Sequence, residues 1–173
     1  MKKMNMLILG MLCCLSTIAQ QEPLSNVVNI NVPKGAVKLN KEQIISHSKK
    51  KFKTSEIASV KTKNLYKIDE LLIGFWDLEV SEENKKSLQA IKSEALELYK
   101  LDKNIIVNEA RINKINNNQF LVINYQNGDA SYYRFNSEYR NNQSISGVIQ
   151  FKEFEKDKAA AILNDILNSI KFK

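Results

Sequence analysis

The sequence predicts a single α+β domain in which an antiparallel sheet carries helices on both faces. The chain has 173 residues, enough for one hydrophobic core and too few for two of ordinary size. Residues 71–76 are apolar at almost every position, and a strand of that kind must be covered on both sides. Four strand-like segments near the C-terminus follow one another through short connections, which makes them antiparallel neighbours.

Residues 1–19 have the three-part order of a cleavable export signal. Lys2 and Lys3 provide a cationic start, and residues 6–15 form an apolar stretch. Ala19 supplies the small side chain that signal peptidase requires just before the cut. The leader therefore predicts export to the periplasm or to the outside of a bacterial cell.

The two cysteines, Cys13 and Cys14, both lie in this leader. A lipoprotein signal is the alternative, but neither cysteine follows the small residue that normally precedes a lipidated one. The mature domain is expected to span 20–173, with a flexible lead-in over 20–25. Without cysteines it has no thiolate for catalysis or for zinc. Loss of the two leader lysines lowers the formal charge from +7 to +5.

The N-terminal part of the mature chain predicts a strand and then a helix. Residues 26–32 alternate apolar and polar side chains, which is typical of a strand with one buried face. Asn40 is the predicted N-cap of a helix that reaches about Phe52. The polar residues 53–64 after it are expected to form a solvated loop.

A second strand is predicted over 66–80, and a long helix follows it. Ser81 is the predicted N-cap, with Glu82 and Glu83 in the first turn, where the helix dipole favours acidic side chains. The helix is expected to end near Asp102. Its apolar stripe is formed by Leu88, Ile91, Ala95 and Leu98.

The apolar pattern then returns to a period of two, which predicts strands at about 104–115, 119–126, 129–136 and 144–153. Residues 116–118 form the first turn, and Asn127-Gly128 predicts a type I′ hairpin. A final helix is expected from about Glu155 to Ile170. The predicted order is β-α-β-α-β-β-β-β-α.

Residues 146–151 read SGVIQF, and after a charged stretch residues 161–172 read AILNDILNSIKF. This strand and terminal helix resemble the end of PsbP-like domains. The resemblance implies an antiparallel sheet with helices on both faces, and an accessory or binding role without a common catalytic motif. A long helix before a four-strand meander is also the outline of a cystatin-like module, in which one sheet face stays open.

Three residues, His47, Asp77 and Glu79, raise the question of chemistry, and each also has a plainer interpretation. His47 is the only histidine and lacks partners for a metal site, so we expect it at the surface or rim. Asp77 and Glu79 lie on one face of a strand, about 7 Å apart, a spacing open to an inverting glycosidase. The plainer interpretation of these acids is a solvent-facing strand end. The sequence therefore predicts no catalytic or metal-binding residue and no cofactor.

A basic patch is formed by Lys49, Lys50, Lys51 and Lys53. It could attract phosphates, lipid headgroups or acidic polysaccharide, although a solvated helix face is the simpler interpretation. Nucleic acid is not expected as a partner, because no recognition motif accompanies the patch and the protein is predicted to be exported.

Aromatic residues cluster on and after the Asn127-Gly128 hairpin. Tyr132 and Tyr133 point to opposite faces of their strand, so one of them is a candidate for an exposed ligand platform, together with Trp76. Cross-strand aromatic packing is the alternative.

These observations predict an exported, non-enzymatic binding or accessory protein of the bacterial cell envelope. Its expected partner is another envelope protein or an anionic surface. A membrane span is not expected, since no apolar stretch is long enough. The alternatives are a carboxylate-dependent hydrolase of envelope glycans, acting through Asp77 and Glu79, and a cystatin-like interaction module.

Overall fold

The structure is a computed structural model that describes residues 24–40, 42, 43 and 64–173. Several predictions lie outside these residues: the leader, the helix beyond Gln43 and the loop over 53–64 except for its last residue, Asn64, which begins a strand instead. The single histidine and the basic patch also lie outside them, namely His47, Lys49, Lys50, Lys51 and Lys53.

Nine strands and two complete helices make up the described fold. In chain order they are β1 (Val28–Asn29), β2 (Val37–Lys38), β3 (Asn64–Ile68), β4 (Leu71–Glu79), α1 (Leu88–Lys100), β5 (Ile105–Ile115), β6 (Asn118–Asn127), β7 (Ala130–Ser137), β8 (Gln143–Phe151), α2 (Lys156–Ser169) and β9 (Lys171–Phe172). Short 3-10 turns, Glu82–Asn84 and Glu153–Glu155, precede the two helices.

Seven strands form one antiparallel sheet in the order β2-β3-β4-β8-β7-β6-β5, while β1 pairs with β9 in a separate ribbon. The predicted α+β class with an antiparallel sheet is confirmed.

β4 carries apolar side chains into both faces of the sheet. Leu71, Ile73 and Phe75 belong to the core cluster that includes α2, and we call this side the α2 face. Leu72 is buried in the other cluster, which includes α1, and Trp76 packs against that cluster, on what we call the α1 face. The prediction that residues 71–76 are covered from both sides is therefore confirmed. A cystatin-like outline, with one open face, does not fit this arrangement.

The two helices do not lie opposite each other across the sheet. α1 packs on β5 and β6, whereas α2 packs mainly on β7 and β8 of the other face. α2 contributes its apolar stripe to the core through Ala159, Ile162, Leu163, Ile166 and Leu167. Phe120 and Val122 of β6 still belong to the core cluster of α2, so the part of the α2 face that lies beyond the helix is β5 and the hairpin end of β6.

The predicted single strand over 66–80 is wrong, because the chain turns back in the middle of it. β3 and β4 form a hairpin with Ile68 paired to Leu71, and Asp69 takes a φ of 50° at the turn. Aspartate tolerates this left-handed conformation better than most residues. The run of alternating residues on either side hides the turn in the sequence.

The long helix begins six residues later than predicted. Ser81 precedes only the 3-10 turn, and the N-cap of α1 is Ser87, whose side-chain oxygen accepts a hydrogen bond from the Ala90 N–H at 3.2 Å. The predicted stripe is also wrong at its end, since Leu98 is 65% exposed and Tyr99 is buried instead. The shift places an aromatic ring, rather than a leucine, over the sheet.

The Asn127-Gly128 turn is not of the predicted type I′. Only Gly128 has a positive φ, +61°, and the turn residues are Gly128 and Asp129, as in a type II′ turn. Positive φ at both central residues occurs instead in the hairpins at Asn116-Asn117 and Asn141-Asn142. Asparagine provides the left-handed conformation there.

The N-cap predicted at Asn40 is confirmed by two reciprocal hydrogen bonds. The Asn40 side-chain oxygen accepts from the Gln43 N–H, and the Gln43 side-chain oxygen accepts from the Asn40 N–H, both at 2.9 Å. This is the capping-box arrangement at a helix start.

The segment after residue 23 is held more firmly, and is less strand-like, than predicted. Only Val28 and Asn29 of the predicted strand 26–32 pair with another strand, β9. Ser25 is 3% exposed, so the predicted flexible lead-in over 20–25 does not extend to it. The Asp77 carboxylate accepts hydrogen bonds from the Ser25 hydroxyl and from the Asn26 N–H. Asp77 thus ties the first described residues to the end of β4.

Gly147 is the position in the sheet where a side chain cannot be added. It lies between Phe75 and Phe135 on neighbouring strands. A Cβ atom there would meet the Phe135 ring at 2.4 Å and the Gly74 carbonyl oxygen at 2.9 Å. We expect Gly147→Ala to lower the free energy of unfolding by about 2–4 kcal/mol through overpacking, measured by urea denaturation.

The matched control is Gly128→Asn at the exposed hairpin, where no atom lies within 4 Å of a Cβ, so that this variant carries the strain of the positive φ without overpacking. It should cost about 1 kcal/mol, less than Gly147→Ala. Equal losses in the two variants would show that the space above Gly147 is not limiting.

Asp77→Ala tests the tether of the N-terminal segment. Removing the acceptor of two hydrogen bonds should cost about 1–2 kcal/mol in urea denaturation and speed amide exchange at Val28. Glu79→Ala is the control, since it removes the next exposed carboxylate on the same strand face and should cost less than about 0.5 kcal/mol. A similar loss in both variants would contradict the tether.

Candidate functional site

Near the Gly128 hairpin, the α2 face of the sheet carries polar side chains beyond the start of α2, and these line a trough. Its floor comes from β6 and β7, and its two rims come from β5 and from the start of α2. Strand register and alternation assign the floor and one rim: floor Asn124, Gln126, Ser131 and Tyr133, and rim Ile106, Glu109 and Arg111. The hydrogen bond from Ser131 to Glu153 and the ion pair of Glu153 with Lys156 place the start of α2 at the other rim. Phe154 follows Glu153 in the chain and completes the set. We call these ten residues the trough.

The trough combines a buried floor with exposed rims. Asn124, Ser131 and Tyr133 are at most 8% exposed. By contrast, Ile106 is 59% exposed and Phe154 is 83% exposed. Apolar side chains that stand in water on both sides of buried polar groups are typical of a surface that contacts a partner.

A β-bulge shapes the floor next to β5. The pairing of β5 with β6 shifts between Val107 and Glu109, so Asn108 is an extra residue. The Asn108 side-chain amide donates a hydrogen bond to the Asn124 side-chain oxygen at 2.7 Å. Asn124 in turn donates to the Tyr132 carbonyl at 3.4 Å. The bulge therefore fixes the orientation of a buried amide in the floor.

Two ion pairs flank the floor. The Arg111 guanidinium lies 2.8 Å from the Glu109 carboxylate, and the Lys156 ammonium lies 3.1 Å from the Glu153 carboxylate. Glu153 also accepts a hydrogen bond from the Ser131 hydroxyl at 3.0 Å, which links the rim to the floor. The charges of the two pairs cancel, so the trough suits a ligand with little net charge.

The electrostatics of the trough keep its groups in definite protonation states. Burial raises the pKa of the Tyr133 phenol, although the positive charges of Lys156 and Arg111 oppose that rise. The hydrogen bonds from Lys156 and Ser131 lower the pKa of the Glu153 carboxyl. Glu153 in turn raises the pKa of Lys156. At neutral pH the floor thus presents a neutral phenol between charged rims.

The three predicted ligand-binding residues do not form one site. Tyr133 lies in the floor of the trough, on the α2 face, with its ring stacked on Phe151 at 5.0 Å. Tyr132 is 1% exposed on the α1 face and stacks on Tyr125 at 4.9 Å. Trp76 is half-buried on the α1 face, opposite Ser146. The sheet itself therefore separates Tyr133 from the other two.

The expectation that Tyr132 or Tyr133 is exposed is wrong, since both are buried. The alternative, aromatic packing, describes both positions. Apolar side chains on both faces of β7 explain the result, because each face of this strand contributes to a core cluster.

The acidic pair lies at the end of β4, away from the trough. Asp77 and Glu79 are both exposed, and Asp77 is bonded to the N-terminal segment. Within the part of the chain that the structure describes, no group of three or more His, Cys, Asp or Glu side chains is placed to hold a metal ion. In the same part, neither helix is long and apolar enough to cross a membrane.

Most members of the trough were not predicted from the sequence. In the sequence, Glu109 and Arg111 are typical of the solvent-facing side of a strand and give no sign of a site. Phe154 does carry a signal, because it is a large apolar residue placed between Glu153 and Glu155 just before a helix. An apolar side chain in such a polar stretch has no core to enter and is expected at the surface.

No protein-family model and no curated protein matches the sequence. Among solved structures, the chain is similar to the solution structure of cyanobacterial PsbP (CyanoP) from Synechocystis sp. PCC 6803, with a TM-score of 0.52 and 9% identity over 82% of this chain and 84% of that chain. A Pseudomonas aeruginosa protein of unknown function gives a TM-score of 0.46 and 9% identity, over 64% of this chain and 74% of that one.

The similarity to CyanoP spans most of both chains and agrees with the two-faced sheet described above. At this level of identity it concerns the architecture alone. The chain has a PsbP-like fold.

Proposed function

We propose that this chain is an exported binding or accessory protein of the bacterial cell envelope, and that it holds another envelope protein in the trough. The observation that carries the proposal is the pair of exposed rims, each with an apolar side chain near an ion pair, on either side of a buried polar floor. Such a surface offers charged groups that are already held in place, next to apolar side chains that gain by leaving water.

The composition of the trough favours a protein partner. Ile106 and Phe154 give an exposed apolar side chain on each rim. The ion pairs of Arg111 and Lys156 are partly exposed beside them. Protein interfaces combine an apolar centre, aromatic residues and a polar rim in this way. Two balanced ion pairs add register and selectivity more than affinity.

Export is supported by the three-part leader of residues 1–19. Expression of the whole chain in a bacterial host should yield a periplasmic protein that starts at Gln20, as measured by N-terminal sequencing. Ala19→Arg should block the cut because the peptidase accepts only a small residue there, whereas Ala19→Ser should preserve it. A mature protein that keeps Met1, or one with a lipid on Cys13 or Cys14, would contradict this prediction.

Site-directed photocrosslinking in the cells that make the protein tests the trough. A photoreactive amino acid at Phe154 or Ile106 should form an adduct with one envelope protein, identified by mass spectrometry. Val37 is the matched control, because it is 63% exposed, similar to Ile106, and lies at the opposite edge of the sheet. It should form no such adduct.

A charge reversal separates specific contact from mere proximity. Lys156→Glu places a second carboxylate beside Glu153 and should strongly reduce the adduct formed at Phe154. Lys158→Glu, two residues further along α2, should leave the yield of the Phe154 adduct unchanged, because Lys158 is paired with Asp69 on the β3–β4 hairpin. Adducts of equal yield at Val37 and Phe154, or none at Phe154, would refute the proposed use of the trough.

A further inference from the structure

We propose that this chain self-associates through β5, which pairs antiparallel with β5 of a second copy about a two-fold axis at Ala110. This proposal goes beyond the envelope-binding function and does not depend on it. Three features carry it: the free edge of the sheet, the order of charges along β5 and the position of α1 above it.

β5 is an edge strand of 11 residues. Among the described residues it pairs only with β6, so its outer row of backbone N–H and C=O groups meets no other strand. A row of this kind is a template for another strand. The opposite edge is the two-residue β2, too short to serve in the same way. Pairing through β5 therefore closes at two copies.

The charges along β5 are complementary to themselves. Glu109 and Arg111 lie on the same face, on either side of Ala110. When two such strands pair antiparallel about Ala110, Glu109 of each copy lies opposite Arg111 of the other. A different partner strand would need an acidic and a basic residue in this order and spacing, which a second copy supplies automatically.

Replacing the Glu109–Arg111 ion pair within one chain by the same ion pairs between two copies costs little free energy. Within one chain Glu109 and Arg111 bind each other at 2.8 Å, with about half of each side chain in water, at 48% and 47% exposure. Exposed ion pairs of this kind contribute little to stability. Cross-strand pairs of opposite charge contribute about as much, so the ion pairs define register while the backbone ladder adds affinity.

The bulge at Asn108 limits the length of the ladder. Pairing about Ala110 places Asn108 opposite Ile112, so regular pairing spans about five residues on each copy. Bulges and charges also protect edges against pairing. The association we propose is therefore reversible and weak. If the bulge and the charges instead prevented pairing at this edge, the chain would stay monomeric, which sedimentation can measure.

The position of α1 supports the pairing from the other face. α1 packs on β5 and β6, so pairing through β5 would bring the two copies of α1 to the same face of the joined sheet, next to the two-fold axis. Leu98 and Leu101 near the end of this helix are 65% and 81% exposed, and such a contact would bury apolar surface.

Sedimentation velocity of the purified protein, over a range of concentrations, measures the association. The wild-type chain should form a reversible dimer. Glu109→Arg and Arg111→Glu each place like charges opposite each other twice in a symmetric dimer, and each should weaken dimerisation about tenfold. An equimolar mixture of the two variants should dimerise about as well as the wild type, because every pair then joins opposite charges.

Lys158→Glu is the control and should leave the dissociation constant unchanged, since this residue lies at the other half of the sheet. Glu109→Ala and Arg111→Ala provide milder variants if a charge reversal lowers the thermal midpoint. A wild-type chain that stays monomeric at ~1 mM, which corresponds to a binding free energy weaker than about −4 kcal/mol, would overturn the proposal. Failure of the mixed variants to dimerise would overturn it too. Neither result bears on the adduct at Phe154, so the two proposals fail separately.

Discussion

The fold depends on a central strand that is apolar on both sides. β4 lies between β3 and β8, and its side chains alternate into two separate cores, so neither face can be left in water. Burial of each large apolar side chain contributes about 1.5–3 kcal/mol, and here the contribution requires cover above and below at once. α1 and α2 provide this cover from opposite faces. Gly147 completes it, because its missing side chain leaves room for the Phe135 ring over the middle of the sheet.

The offset between the two helices determines where the surface remains available. α1 lies over β5 and β6, and α2 lies over β7 and β8, so each helix covers about one half of its own face. On the α2 face the part beyond α2 has a buried polar floor and exposed apolar side chains on its rims. Asn124 is 5% exposed there, and its hydrogen bonds to Asn108 and to the Tyr132 carbonyl offset the cost of burying its amide. The trough is thus a consequence of how the sheet is covered.

The sequence predicts the bounds of most strands and helices better than it predicts how these elements pack against one another. The strands from β5 to β8 and the helix α2 lie within about two residues of the predicted bounds, because short turns and alternating side chains define them locally. The β3–β4 turn escaped prediction since Asp69 interrupts an alternation that continues on both sides. Ser81 and Ser87 are equally good N-caps by residue type, and only tertiary packing distinguishes them. Tyr133 is the one residue of the trough that the sequence predicted as a candidate. It was predicted as part of an exposed ligand platform, but it is buried.

Asn108 connects the candidate site with the free edge. As the extra residue of the bulge it turns its amide toward Asn124, which orients the floor of the trough, and it also ends the regular part of β5. Glu109 and Arg111, directly after it, serve as a rim of the trough and as the charges along the edge. Because one ion pair belongs to both surfaces, a partner in the trough that engages Arg111 would compete with a second copy for the same guanidinium. The two surfaces are therefore coupled by this short stretch of one strand.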